Sequence, residues 1–266
     1  MPVSLYMSQP LAAVPEGATL VEVEEALFAR KVSCVPVVDK AGRCTGVISR
    51  TDLLRIGRVE AKRKGDGRKL LALPEMRAAD VIKAEAVTIT QDTPVSEAAR
   101  LMVKSHIHRV FVRDALEQKP NGERHRLLGV FSTKEVLAAI RDKRETLPIS
   151  DYMASPVFTI PSTATLALAT DRLAKAHVSG LVVVNEDEWP IGIFSQAEAL
   201  ESRDLPPETQ IEDVMNYAML CLDARTPLFR AAGHAHATRA RRVLAIEDRK
   251  VKGILTGIDF ASAAMS

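Results

Sequence analysis

Four stretches of this chain place a hydroxyl three residues ahead of a carboxylate: Ser49 and Asp52, Ser132 and Glu135, Ser195 and Glu198, Thr256 and Asp259. At the start of a helix that spacing supports two chemistries. In one, the hydroxyl caps the helix and the acid reaches back to the cap's own N–H, a capping box that serves the fold alone. In the other, free N–H groups and the positive end of the helix dipole attract a phosphate, while the carboxylate accepts the two hydroxyls of a ribose. Cations suited to phosphate oxygens stand just ahead of a strand run in two places, His108-Arg109 and Arg241-Arg242. An arginine fork there can make two parallel hydrogen bonds to a phosphate. The matching positions elsewhere hold Ser33-Cys34 and Ser179-Gly180. The plain structural reading of these basic residues is that they cap the exposed end of a strand.

The frame that must position these groups is a fourfold internal repeat. Its end recurs as Gly46-Val-Ile-Ser-Arg-Thr-Asp52, Gly129-Val-Phe-Ser-Thr-Lys-Glu135, Gly192-Ile-Phe-Ser-Gln-Ala-Glu198 and Gly253-Ile-Leu-Thr-Gly-Ile-Asp259. The glycines lie 83, 63 and 61 residues apart, so a repeat of about 60 residues carries extra length between its first two copies. That length lies in the charged stretch Arg58 to Lys69 and the polar segment Leu116 to Arg126, both read as loops or linkers. Each copy opens alike, with Leu5-Tyr-Met7, Asp80-Val-Ile82, Asp151-Tyr-Met153 or Asp213-Val-Met215 ahead of a short extended segment. A helix should follow, because Val95, Ala98, Ala99 and Met102, or Leu228, Ala231, Ala232 and Ala235, form one apolar stripe.

Two β-branched runs come next, Val35 to Val38 and its equivalents, then the strand beginning at the repeated glycine. A second helix starts near the Ser or Thr. The expected fold is therefore α/β, four tandem β-α-β-β-α repeats at residues 1–57, 76–145, 146–205 and 206–266, with a basic linker at 58–75. One such repeat buries little surface by itself, so the first should share a core with the second and the third with the fourth, leaving pseudo-twofold clefts.

The opening segments, the strand ending Pro36-Val-Val-Asp39 and the Gly-apolar-apolar-Ser/Thr-x-x-Asp ending resemble cystathionine-β-synthase (CBS) domains over nearly the whole chain. Such domains pair into Bateman modules, and a chain carrying four of them is similar to the gamma subunits of AMP-activated kinase. The resemblance implies a regulatory protein without a catalytic site, binding AMP, ADP or ATP and signalling to a partner protein not identified by sequence. It also assigns ribose to the shorter Asp. Asp52 with Ser49 and Asp259 with Thr256 fit that pattern, whereas Ser132/Glu135 and Ser195/Glu198 depart from it and are weaker candidates. Arg109 with His108 resembles the pair at which gamma subunits hold phosphates, and Arg241 and Arg242 stand at the same place. Thr93 and Thr226 occupy the position where the family can set a hydroxyl near phosphate, filled by Ala18 and Ala164 in the odd repeats.

Composition narrows the alternatives. Aromatic residues are 4% of the chain, too few for a base-stacking platform. With 36 basic and 34 acidic residues the net charge is +2, so no long-range field draws in nucleic acid or an anionic membrane. No apolar run is long enough to span a bilayer, and the opening MPVSLYMSQP lacks a secretory pattern, which places the expected location in the cytoplasm. Cys34, Cys44 and Cys221 have neither disulfide-framework nor zinc spacing. The pairs His106/His108 and His234/His236 lack a nearby acid or Cys at ligand spacing, so no metal is expected. No hydrolase nucleophile elbow is present. The rival readings are a ligand-free interaction scaffold, an S-adenosylmethionine binder, and a nucleic-acid binder gripping through Arg58 to Lys69, the last disfavoured. A second copy of the chain stays open as a homodimer partner.

Overall fold

The computed structural model describes residues 1–30, 32–63, 69–82, 85–114 and 127–265. The first repeat runs β1 (Val14–Pro15), α1 (Leu20–Ala29), β2 (Cys34–Val38), β3 (Cys44–Ser49) and α2 (Arg50–Ile56). A hairpin of β4 (Arg58–Arg63) and β5 (Lys69–Ala72) follows, then the short α3 (Ala78–Val81). The second repeat comprises β6 (Thr88–Thr90), α4 (Val95–Lys104), β7 (Arg109–Arg113), β8 (Leu127–Ser132) and α5 (Thr133–Lys143). The third has β9 (Thr159–Pro161), α6 (Leu166–Ala176), β10 (Gly180–Val184), β11 (Pro190–Ser195) and α7 (Gln196–Glu201). The fourth has β12 (Leu220–Asp223), α8 (Leu228–Thr238), β13 (Arg242–Glu247), β14 (Lys250–Thr256) and α9 (Gly257–Ala263). The β-α-β-β-α order is thus present four times. In each repeat the three strands form one sheet with the middle strand central. In the first, third and fourth repeats that strand runs parallel to the first and antiparallel to the third.

The apolar stripes are buried as their spacing requires: Val95, Ala98, Ala99 and Met102 on α4, and Leu228, Ala231, Ala232 and Ala235 on α8. Where the charged stretch after the first repeat reads as an irregular linker, β4 and β5 pair antiparallel, with Arg58 opposite Ala72 and Arg63 opposite Lys69. The local reason lies at its base: Leu71 and Leu73 pack on the first repeat's core, which gives the strand pair an anchor that charge counting does not reveal. Lys64, Arg68 and the polar segment Leu116 to Arg126 lie outside the described residues.

Two compact units are formed. One contains residues 2–93 and 109–131, the other residue 1 with residues 94–108 and 132–266. The division does not follow the expected pairing of whole repeats, because the second repeat's sheet falls in the former and its helices in the latter. In the larger unit α5 packs on α8 and α9, and α4 on α9. Small residues permit that approach: a Cβ on Gly257 would lie 2.7 Å from the Cβ of Thr133.

Within each unit, the segment that opens one repeat is clasped by its neighbour. Ile149 and Ser150, opening the third repeat, donate to the carbonyls of Thr226 and Ala224 in the fourth, and Ile211 and Glu212, opening the fourth, donate to Ala164 and Ser162 in the third. In the other unit Val3 and Ser4 donate to Thr93 and Gln91, while Ala78 and Ala79 donate to Ala18 and Glu16. Every contact has its reciprocal, which is the signature of a twofold relation. The clasp also explains the repeated glycine in three of its four copies, Gly129, Gly192 and Gly253. Met153 lies over Gly253, and Met215 over Gly192, where a Cβ would stand 2.5 Å from the Met215 sulfur. At Gly129 the obstacle is backbone, the Ser8 carbonyl at 2.8 Å. The cores follow suit. Ala78 and Val81 complete the core of the first repeat, and Ile211 and Met215 that of the third.

Candidate functional site

All four hydroxyl–acid pairs sit at the strand-to-helix corner, with Ser49, Ser132, Ser195 and Thr256 as N-caps of α2, α5, α7 and α9. Each builds a capping box. Ser49 donates from its N–H and Oγ to Asp52 Oδ2 at 2.9 and 2.6 Å, and Thr256 does the same to Asp259 Oδ2 at 2.7 Å in both bonds. Ser132 donates to Glu135 Oε2 at 2.8 and 2.5 Å. Ser195 donates to Glu198 Oε2 from its N–H at 3.0 Å and also from Oγ. Asp and Glu therefore cap alike, so side-chain length does not separate a structural from a binding role. Thr19 and Glu22 form the same box on α1, outside the repeated signature.

Several helix-end donors are engaged within the fold. On α2 the N–H of Arg50 goes to the Ser33 carbonyl at 3.0 Å and that of Asp52 to Ser49 Oγ at 3.2 Å. On α5 the N–H of Thr133 goes to the His108 carbonyl. At these two helix starts the N–H groups of Arg50, Asp52 and Thr133 are therefore already engaged by backbone and cap atoms. The copies differ in the surroundings of the second carboxylate oxygen. Asp52 Oδ1 meets only Arg55, at 3.4 Å, among the described residues. Glu135 is closed off at 4% exposure, while Asp52, Glu198 and Asp259 are half-buried.

The arginines bring the repeats together. Arg109, at the start of β7, donates from Nη2 to Ser33 Oγ at 2.9 Å, reaching from the second repeat to the first. There it lies beside Cys34, which stands directly opposite Ser49 on the neighbouring strand. Burial pushes the Cys34 thiol above its ordinary pKa; Arg109 opposes that rise and Asp52 adds to it, so all three groups share one small region. Arg242, at the start of β13, repeats the manoeuvre. It leaves its strand opposite Thr256 and donates from Nη2 to the Ser179 carbonyl at 3.1 Å. Its guanidinium covers Gly180, where a Cβ would lie 3.1 Å from Nη2. Burial lowers the Arg242 pKa, with Glu198 raising it and Arg241 lowering it further.

Ser33-Cys34 and Ser179-Gly180, which look in sequence like positions missing a cation, thus receive the partner repeat's arginine, with the Ser33 hydroxyl and the Ser179 carbonyl as its acceptors. The twofold relation explains the asymmetry. Equivalent residues meet at the axis, and two guanidiniums 4 Å apart would repel by roughly 4 kcal/mol in a near-surface medium. A small neutral residue opposite each arginine avoids that.

The remaining candidates are placed elsewhere. His108 and Arg241 are exposed. Thr93 and Thr226 sit where β6 and β12 lead into α4 and α8, their carbonyls accepting from Val3 and Ile149. The Thr93 hydroxyl is 3.2 Å from that of Thr90. No described bond joins either threonine to an arginine. His106 and His108 lie in the turn between α4 and β7, while His234 and His236 are on α8. Among the described residues no group of His, Cys, Asp and Glu could hold a metal ion, and no helix is long and apolar enough to cross a membrane.

Comparison with known proteins agrees with this architecture. The sequence profile of the CBS domain matches residues 3–58, 78–142 and 149–204. A Methanocaldococcus jannaschii protein, described as a candidate archaeal homolog of g-AMPK, superposes at a TM-score of 0.75 with 15% identity over 99% of both chains. An uncharacterized conserved protein from Pyrococcus horikoshii gives 0.67 at 16% identity, over 99% of this chain and 100% of that one. At these identities the likeness concerns the fold. An uncharacterized 33.4 kDa protein from a Thermofilum pendens ribosomal RNA operon is 25% identical over 186 residues, which is 67% of this chain and 58% of the relative's length.

Proposed function

The chain belongs to the CBS-domain family, and on that premise we propose that it is a regulatory protein sensing adenine nucleotides, AMP, ADP or ATP, between paired repeats. The observation that carries this reading is the convergence of Arg109, Ser33 and Asp52: a guanidinium from one repeat set against the neighbour's hydroxyl and half-open carboxylate. An arginine fork suits phosphate oxygens and a carboxylate suits ribose hydroxyls. For a signal to reach a partner protein, the nucleotide must prefer one arrangement of the chain over another.

A ligand-free scaffold is the second reading, and one observation favours it. Every repeated acid is already a capping partner, so the signature has a complete structural explanation. Thermal unfolding with AMP, ADP, ATP and S-adenosylmethionine at millimolar concentration separates the two. A ligand at a hundred times its dissociation constant adds about 2.7 kcal/mol to the folded state, a rise of several degrees. The expected result is a rise with an adenine nucleotide that Arg109→Ala removes. No rise with any of the four compounds assigns the chain to the scaffold reading.

A further inference from the structure

We infer that the hairpin of β4 and β5 docks an acidic, extended segment of a partner protein, with Arg63 and Lys69 receiving its carboxylates. The inference goes beyond the nucleotide reading and holds equally under the scaffold reading, since a sensor and a scaffold both need a surface for their partner. The hairpin is an addition to the repeat. It fills part of the 83 residues that separate the first two repeated glycines, where the later spacings are 63 and 61. It leaves the end of α2 at Gly57, where a Cβ would lie 2.7 Å from Leu73 Cδ2 and 3.1 Å from the Ala72 carbonyl oxygen. With Leu71 and Leu73 packed on the first repeat's core, its base is fixed to the repeat. The same α2 begins at the Ser49–Asp52 corner, so a partner held on the hairpin sits one short helix from the candidate nucleotide site.

The charge on the hairpin works against its own stability. The two strands carry Arg58, Lys62, Arg63 and Lys69 against the single acid Glu60, a net of +3, whereas the whole chain carries +2. The rest of the chain is thus slightly acidic, and the excess of cations is gathered on this one ribbon. Arg63 stands directly opposite Lys69, and like charges facing each other across a strand pair weaken it. A two-stranded hairpin is marginal to begin with. Here the register also slips, four steps along β4 from Val59 to Arg63 meeting two along β5 from Leu71 to Lys69. A ribbon serving the fold alone would gain from an acid at either position; an incoming carboxylate supplies that counter-charge instead. Three features select an acidic peptide over a nucleic acid. Residues 58–72 contain no aromatic ring on which a base could stack. A polyphosphate backbone following the basic strands would leave them within a few contacts and meet a slightly acidic chain. Among the described residues the sheet contains these two strands alone, so an extended peptide can add as a third, combining main-chain hydrogen bonds with charge pairing.

Fluorescence anisotropy of labelled poly-L-glutamate with the full chain at low salt tests this, with labelled poly-uridylate RNA and a DNA duplex measured alongside. The expected result is tighter binding of poly-L-glutamate than of either nucleic acid, with slowed hydrogen exchange in residues 58–72. Arg63→Glu and Lys69→Glu should each weaken that binding at least about tenfold, whereas Arg230→Glu, which reverses an exposed cation on α8, leaves it unchanged. Each hairpin variant should also raise the urea midpoint, because it sets opposite charges face to face, and that rise separates a lost docking contact from a damaged fold. Unchanged binding in both hairpin variants, or a lowered urea midpoint in both, overturns the inference. Tighter binding of RNA or DNA overturns the choice of partner, and no binding of poly-L-glutamate by the unmodified chain overturns the docking role. The thermal shifts with nucleotides are read separately, so the nucleotide reading stands or falls without this one.

Discussion

The glycine that recurs in every repeat makes a sharp test of the reciprocal clasp. In Gly192→Ala the new methyl would lie 2.5 Å from the Met215 sulfur, 3.0 Å from its Cγ and 3.2 Å from the Asn216 carbonyl oxygen. Met215 is 7% exposed and belongs to the third repeat's core, so moving its side chain aside disturbs packed neighbours. Overpacking of this kind costs about 1–3 kcal/mol. For a chain of this size each kcal/mol lowers Tm by roughly 2–4 °C. Met215→Ala alone costs about 2–5 kcal/mol through the cavity it leaves. In the double variant the small side chain removes the worst clash and the added methyl fills part of the cavity, so the two losses should not sum. A shortfall of about 1 kcal/mol or more, measured by urea unfolding of all four proteins, is the expected coupling. Independent sites add within about 0.3–0.5 kcal/mol. Additivity within that margin, or a neutral Gly192→Ala, refutes the reasoning. Gly129→Ala with Met7→Ala is the internal control: the obstacle there is the Ser8 carbonyl at 2.8 Å, which no side-chain truncation moves, so rescue should be weak.

Two further outcomes follow from the caps and the buried thiol. Removing an N-cap hydroxyl costs about 1 kcal/mol, and Ser132→Ala should cost more than Ser49→Ala, because it also strips a donor from the buried Glu135 whereas Asp52 is half-open; the reverse order in urea midpoints refutes this. Cys34 holds its proton to higher pH in the folded state, because burial raises it. The unfolded thiol ionises first, near pH 8.5, so stability should be level below that and fall as pH rises further. Urea midpoints between pH 7 and 10 should show a shallower alkaline fall in Cys34→Ala, and an unchanged slope contradicts the assignment.

Much of the frame was legible because it depends on local patterns. The hydroxyl of each Gly-apolar-apolar-Ser/Thr motif is the N-cap of a helix in all four copies, and the apolar stripes of α4 and α8 are buried residue for residue. What depends on distant pairs was not legible. Ser33 and Gly180 look in sequence like repeats lacking a cation, yet their smallness is the complement of Arg109 and Arg242, residues 76 and 62 positions away. The repeated glycine and the Met at the opening of several repeats were both visible, but not that one lies over the other in the neighbouring repeat. The hairpin of β4 and β5 was hidden because its cations masked the short apolar anchor at Leu71 and Leu73. The grouping of the second repeat's helices with the fourth's arises from small residues, such as Gly257, whose importance lies in what approaches them.

The clasp also has an arithmetic consequence for how such a chain is made and how it can be lengthened. The core of the first repeat includes Ala78 and Val81, so during synthesis it cannot close until the opening of the second repeat has left the ribosome. The third waits in the same way for Ile211 and Met215. The core of each odd repeat should therefore wait for the opening of the next one, with an apolar groove standing open until it arrives. An array with an odd number of copies would keep that groove open permanently and carry one opening segment with nowhere to dock. Duplication of a single repeat is a liability, and growth by pairs is the route the geometry leaves.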